Sequence, residues 1–203
     1  DWRILVIGTF TKVNGITSVK IARLNDDVTV DLTFAHGVFV SQPQWTEAGI
    51  RDVRLQSDGK IIIAGSGNTG RDPFHNAVLR LETNGGLDPS FVASLSRGYV
   101  WGGSIPFVAQ SLVVQRDGRI LVLHAPDSVN YGIGPPVVRL NLDGSEDTAF
   151  AAQLTWVRFG VSLSQEIAGA LEGPDGSIWL GGSRLLVHLE SDGSLADLNP
   201  LGL

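Results

Sequence analysis

Several groups of residues in this chain have types and spacings that could do chemistry. Gly65-Ser66-Gly67-Asn68-Thr69-Gly70 resembles a phosphate-cradling loop in composition. Such a loop needs a Lys-Ser/Thr to reach phosphate and metal, and a helix behind it; neither follows, so the run reads as a flexible loop. Gly8, Gly65 and Gly182 recur at one position, which fits close backbone packing at a strand end. His36, His75, His124 and His188 lie at unrelated places, without the converging spacing of a metal site, and no Asp-x-Asp-x-Asp-Gly calcium loop is present. There is no Gly-x-Ser-x-Gly elbow. A Ser-His-Asp triad converges only in space and leaves no spacing to read. The sequence therefore predicts no catalytic residue, no metal and no cofactor.

Two patterns carry more. Arg23 and Asp31, Arg80 and Asp88, and Arg139 and Asp147 are each eight residues apart. They could form a ring of charges around a ligand. Alternatively, each Asp caps a turn and accepts from the Arg beside it. A feature present once per repeat usually serves the repeat, which favours the second reading. The other pattern is aromatic. Trp45, Trp101 and Trp156 are 56 and 55 residues apart, with Tyr99, Phe39 and Phe107 nearby. Such faces either pack between elements or stack on a sugar ring or a partner. Trp45, Tyr99, Trp101 and Trp156 are accordingly the candidate ligand-binding residues, since they lie between repeats, where loops commonly carry function.

Repeated elements must position these groups. "LQSDGKIIIAGS" from Leu55 returns as "VQRDGRILVLHA" and "EGPDGSIWLGGS", with the Asp-Gly turns at Asp58, Asp117 and Asp175 spaced by 59 and 58. "DWRILVIGTF" from Asp1 is a degenerate copy with Trp2 in place of Gly. A second phrase runs to Phe34, Phe91 and Phe150, spaced by 57 and 59; its fourth version, "LVHLESDGSLADL", carries His188 for Arg and Leu198 for Phe. Two independent markers on one period establish a tandem repeat.

Asp-Gly between apolar runs predicts a two-residue hairpin. Strands are expected around Ile50–Leu55, Lys60–Ala64 and Ala77–Glu82, with a fourth near Val38–Val40, Tyr99–Trp101 and Trp156–Phe159. No sustained 3.6-residue period predicts a long helix. "ILVI", "IIIA", "ILVL" and "IWL" are continuous apolar runs, whereas a strand with one wet face should alternate. These strands need cover on both faces, and without helices a β-propeller supplies it by stacking small sheets. The recurring phenylalanines read as plugs between those sheets. A β-solenoid and a sandwich fit the period less well.

The fold expected is all-β: a β-propeller-like array of about four antiparallel sheets in a single repeat domain, residues 1–203. Its copies fall at about 1–49, 50–109, 110–167 and 168–203, the first incomplete. The chain holds roughly three and a half periods, so it is expected to be part of a larger ring, completed by further copies or segments. It opens Asp1-Trp2-Arg3 without Met, which points to a start upstream.

Composition narrows the partners. The chain has 203 residues, 43% hydrophobic and 18% charged, enough to bury a core. A net charge of −6 disfavours nucleic acid and anionic membranes, and no apolar run of 18 residues could span a bilayer. Cys and Met are both absent, so disulfides and thiolate chemistry are excluded, a composition suited to an oxidising exterior.

"QSDGKIIIAGS … AVLRLETNGGLDPSF" and "ILVIGTFTKVNGITSVKIARLN" resemble the delta-60 type repeat of bacterial proteins across all four copies. The departures are Trp2, His124, His188 and Leu198; the last two mark the fourth copy as terminal or modified. The resemblance implies a β-propeller in large, often secreted or surface-attached proteins, and assigns no activity. The expectation is a non-enzymatic, extracellular scaffold or binding module for protein or glycan contacts. A lectin-like propeller using the tryptophans, or an enzyme with a site at the channel, are the alternatives.

Overall fold

A computed structural model describes residues 2–39, 49–65, 78–93, 95, 99–100, 103–104, 109–124, 137–153, 167–182 and 185–200. Four small antiparallel sheets follow one another along the chain. The first pairs β1 (Ile4–Ile7) with β4 (Ile21–Leu24), and a short hairpin of β2 (Lys12–Val13) and β3 (Ile16–Thr17) lies between them. The second is β5 (Ile50–Leu55), β6 (Ile61–Gly65) and β7 (Val78–Leu81). A separate ribbon pairs β8 (Tyr99–Val100) with β9 (Gly103–Ser104). The third sheet is β10 (Ala109–Val114), β11 (Ile120–His124) and β12 (Val137–Leu140), followed by the one-and-a-half-turn helix α1 (Thr148–Gln153). The fourth is β13 (Ile167–Glu172), β14 (Ile178–Gly182), β15 (Leu185–Leu189) and β16 (Leu195–Pro200).

The Asp-Gly connections differ from the expected two-residue hairpin. Gly59 donates to the Gln56 carbonyl, Gln56 donates to the Lys60 carbonyl, and only the glycine takes positive φ, +83°. The same pattern holds at Gly118 and Gly176. This is a three-residue connection with glycine in the left-handed position, and Asp58 Oδ1 accepts from Lys60 N–H at 3.0 Å. The first strand of each full sheet also carries a register shift, at Ile50/Asp52, Ala109/Ser111 and Ile167/Gly169. Such bulges sharpen the local twist.

The fourth-strand expectation also needs correction. Val38 and Phe39 lie in a turn and are buried; Tyr99–Val100 pairs with β9 rather than with a repeat sheet; Trp156–Phe159 lies outside the described residues. A fourth strand exists in the fourth sheet, but it is β16, formed from the end of the second phrase.

The continuous apolar runs are explained by the stacking. Ile61 and Ile63 pack with Ile21, Phe34 and Phe39 of the first repeat, while Ile62 and Ala64 pack with Leu112, Ile120 and Val122 of the third sheet. Likewise Ile120 and Val122 face backward, and Leu121 and Leu123 face forward onto Ile178, Leu180 and Val187. Alternate residues therefore meet two different cores. We predict that Ile62→Ala and Ile63→Ala each lower stability by about 2–5 kcal/mol in urea unfolding. A near-neutral result at either one of these consecutive positions would show that its face is not part of a core.

Candidate functional site

The polar groups that recur in the first three sheets converge on a single unit. The second turn brings the chain back so that Asp88 N–H donates to the Arg80 carbonyl at 2.9 Å, and the same bond joins Asp31 to Arg23 and Asp147 to Arg139. The side chains then meet. Arg80 Nε lies 2.7 Å from Asp88 Oδ2, Arg23 Nε 2.8 Å from Asp31 Oδ2, and Arg139 Nε 2.9 Å from Asp147 Oδ2. The other carboxylate oxygen closes the turn: Asp88 Oδ1 accepts from Ser90 N–H and hydroxyl, Asp31 Oδ1 from those of Thr33, and Asp147 Oδ1 from Phe150 N–H at the start of α1. The expected Arg–Asp pairing and turn capping are therefore both present.

Sequence reasoning missed a third partner. Lys60 Nζ lies 2.8 Å from Asp88 Oδ2, Arg3 Nη1 3.1 Å from Asp31 Oδ2, and Arg119 Nη1 3.2 Å from Asp147 Oδ2. Each cation directly follows the Asp-Gly turn or its degenerate copy, so its repeat position was readable. Its separation of 28 residues from the Asp, and the mixture of Lys and Arg, hid the pairing. Burial alone would raise the Asp88 pKa, but hydrogen bonds from Lys60, Ser90 and Arg80 outweigh it and hold the carboxyl far below its ordinary value. Asp31 is likewise depressed, first by the Thr33 hydroxyl. Lys60 is raised in turn, first by Asp88 and then by Glu82.

The unit also crosses to the next sheet. The Arg80 guanidinium lies over the Phe91 ring, 4.7 Å from its centre, and Arg80 Nη1 donates to the Leu142 carbonyl at 2.7 Å. Arg23 covers Phe34 and donates to the Thr83 carbonyl; Arg139 covers Phe150 and donates to the Ser191 carbonyl. Thr83, Leu142 and Ser191 occupy one position in successive turns. Phe34 and Phe150 are buried against the turn glycines ahead, where a Cβ on Gly85 or Gly193 would come within 2.7 and 2.6 Å of the ring. Inner strands are joined separately: Asp52 Oδ2 accepts from Leu112 N–H at 2.8 Å and the Ser111 hydroxyl at 3.0 Å.

The remaining candidates are more dispersed. Trp45, Trp101, Trp156, His75 and residues 66–70 lie outside the described residues. Tyr99 is placed only by its backbone, opposite Ser104. His124 ends β11 opposite Ala109. His36 is buried, with Nε2 2.8 Å from the Asp31 carbonyl oxygen and its ring edge-on to Phe34, a structural setting. His188 stacks on Trp179, ring centres 4.0 Å apart. Among the described residues no three His, Asp or Glu converge as a metal set, and no helix is long and apolar enough to cross a membrane. A cleft of about 460 Å³ opens between the first two sheets, lined in part by Arg3, Leu5, Arg23, Leu55 and Thr83. Both arginines are already engaged with Asp31, so their charge is compensated there.

Small antiparallel sheets stacked in series, each internal one covered on both faces, define a β-propeller. The chain belongs to the family described as "Domain of unknown function (DUF5122) beta-propeller", which matches residues 3–34, 56–91 and 115–150. Each matched stretch ends on the phenylalanine of the unit. No curated protein matches the chain. Among solved structures it is similar to a streptogramin B lyase at 14% identity and a TM-score of 0.44, covering 76% of this chain and 41% of that one. It is also similar to XC5397 from Xanthomonas campestris, a gluconolactonase, at 18% identity and a TM-score of 0.34, covering 89% and 68%. A protein of unknown function from Bacteroides caccae matches at 14% identity and a TM-score of 0.31, covering 89% and 74%. The chain thus spans about two fifths of the length of the lyase.

Asp88 provides a direct test of the unit. Its depressed pKa adds stability that is complete above about pH 4, the unfolded value, and is lost as pH falls through the lower folded value. In urea melts from pH 7 to pH 2, Asp88→Asn should show a shallower acid slope than the parent. Asp88→Ala should cost about 3 kcal/mol at pH 7, because it leaves the buried Arg80 guanidinium without its carboxylate, although Lys60 keeps Glu82. Equal acid slopes in parent and Asp88→Asn would remove Asp88 from the network.

Proposed function

We propose that this β-propeller is a non-enzymatic scaffold and binding module, exposed outside the cell or on its surface, which contacts proteins or glycans through the segments between its repeats. The observation that carries the reading is the fate of the repeated polar groups. Arg23, Arg80 and Arg139, their aspartates and their added cations are all spent on holding sheets together. Chemistry that recurs in the first three sheets is thereby assigned to architecture. Contact with a ligand then falls to the residues that do not belong to the repeat core: Trp45, Tyr99, Trp101 and Trp156. Flat aromatic faces with polar edges suit sugar rings and protein surfaces alike. The absence of Cys and Met from the sequence favours an oxidising location.

A thermal-shift and glycan-array screen with the pure protein tests this. A bound oligosaccharide at one hundred times its Kd should add about 2.7 kcal/mol of stability. Trp101→Ala with Trp156→Ala should abolish that gain while leaving the unliganded melting temperature near the parent's. A gain that survives both substitutions would place binding elsewhere. Turnover in sugar-lyase or dehydrogenase assays would replace the scaffold by an enzyme.

A further inference from the structure

β5, β10 and β13 each lie at one edge of their sheet, and no strand pairs the far side of any of them among the described residues. Their register shifts insert one extra residue each: Arg51, Gln110 and Ala168. The residue before each of these, Ile50, Ala109 or Ile167, packs into the interface with the preceding sheet. The extra residue is exposed in all three sheets. A bulge re-aims a side chain in this way without shifting the faces of the rest of the strand. Stacking then sets the three residues in a row. Asp52 accepts from Leu112 N–H and from the Ser111 hydroxyl, which brings Arg51 beside Gln110, and β10 in turn packs against β13. β10 has a neighbour on both sides and Gln110 is still exposed, so an adjoining sheet does not close the row.

The charges around this row are otherwise committed. Asp52 Oδ2 also lies 3.1 Å from Arg54 Nη2, and Arg54 Nε donates to the Leu112 carbonyl at 3.1 Å. Every other described arginine likewise donates to a carboxylate or a carbonyl. Arg51 alone among the described arginines has no acceptor, and the Gln110 amide beside it has no partner among the described residues. The row is also free of the repeat's own demands, since it carries Arg, Gln and Ala in turn. In the chain, Arg51 follows closely on Trp45, and Gln110 on Tyr99 and Trp101. An uncommitted cation and an uncommitted amide thus stand together where the segments between repeats rejoin the sheets.

We propose that Arg51 and Gln110 form a carboxylate-binding site, and that the ligand of the binding module is a glycan carrying uronic acid. The proposal rests on the binding-module reading above. A guanidinium fork gives two parallel N–H bonds to a planar carboxylate. The Gln110 amide adds a donor and an acceptor for a neighbouring ring hydroxyl. An aromatic face holds a sugar ring whatever its charge, so Arg51 supplies the discrimination between an acidic sugar and a neutral one. The ligand takes nothing from the stacking, because neither residue belongs to the Arg–Asp unit or to a core between sheets.

Calorimetric titration of the whole chain with oligogalacturonate and with its methyl ester tests the site. The ester keeps the sugar rings and removes the charge. The acid should bind about tenfold more tightly than the ester, the scale of one charge-assisted pair. Arg51→Gln should erase that difference by weakening the acid alone, and Gln110→Ala should reduce it in part. Both positions are exposed, so both variants should melt where the parent does. Trp101→Ala with Trp156→Ala should instead weaken acid and ester alike. If those two substitutions change neither affinity while Arg51→Gln does, the carboxylate site stands and the aromatic contact falls. Cleavage of oligogalacturonate that needs Arg51 would uphold the site and end the non-enzymatic reading. Equal affinity for acid and ester, an Arg51→Gln variant that binds the acid like the parent, or no binding of the acid would each overturn the proposal.

Discussion

The structure depends on one guanidinium used three ways. Arg80 pairs with Asp88 of its own sheet, covers Phe91, and donates to the Leu142 carbonyl of the sheet ahead. Arg23 and Arg139 do the same. A planar fork with several fixed donors suits this task, since one side chain must satisfy a carboxylate and a carbonyl that face it from different elements. The Asp is equally committed. It closes its turn with one oxygen and receives two cations on the other, so a largely buried charge is compensated on every side. Stacking thus joins a non-directional force, burial of isoleucines on both faces of the inner strands, to a directional one that fixes which turn each sheet meets.

The same logic explains why the first and fourth sheets differ from the two between them. Internal sheets both send and receive the plug. The fourth sheet has lost the cation and the arginine, keeps Asp197 opposite His188, and the first has Val28 where the others have a turn glycine. Losing one member alone would leave the others buried and unpaired, which is more costly than losing all of them. Ser177 and His188, in place of the cation and the arginine, therefore behave as a single change in the charges this sheet presents.

Much of this was legible in the sequence, because period and apolar pattern report directly on backbone and burial. The sequence pattern places a strand around Ile50–Leu55, where β5 lies, and the two-faced burial follows from Ile61 to Ala64 being apolar without alternation. The Arg–Asp spacing of eight showed the in-sheet pair. What stayed hidden has identifiable causes. Asp-Gly serves both two- and three-residue connections, so the turn type at Asp58 could not be chosen from the dipeptide. The acceptors on Thr83, Leu142 and Ser191 are backbone carbonyls, which no side-chain pattern marks. Bulges at Arg51 and its equivalents have no residue signature. The candidate aromatics Trp45, Trp101 and Trp156 lie in the segments of least repetition, where no second copy constrains the reading.

Amide hydrogen exchange on Arg80→Lys tests the coupling between sheets most directly. Lysine keeps the charge for Asp88 but cannot hold the Leu142 carbonyl at the same time. Protection should fall at Asn141 and Gly144, whose amides close the turn of the next sheet, while β5 and β6 exchange as in the parent. Loss of protection confined to the second sheet, with the Asn141–Ser145 turn unchanged, would contradict the view that this arginine holds neighbouring sheets together.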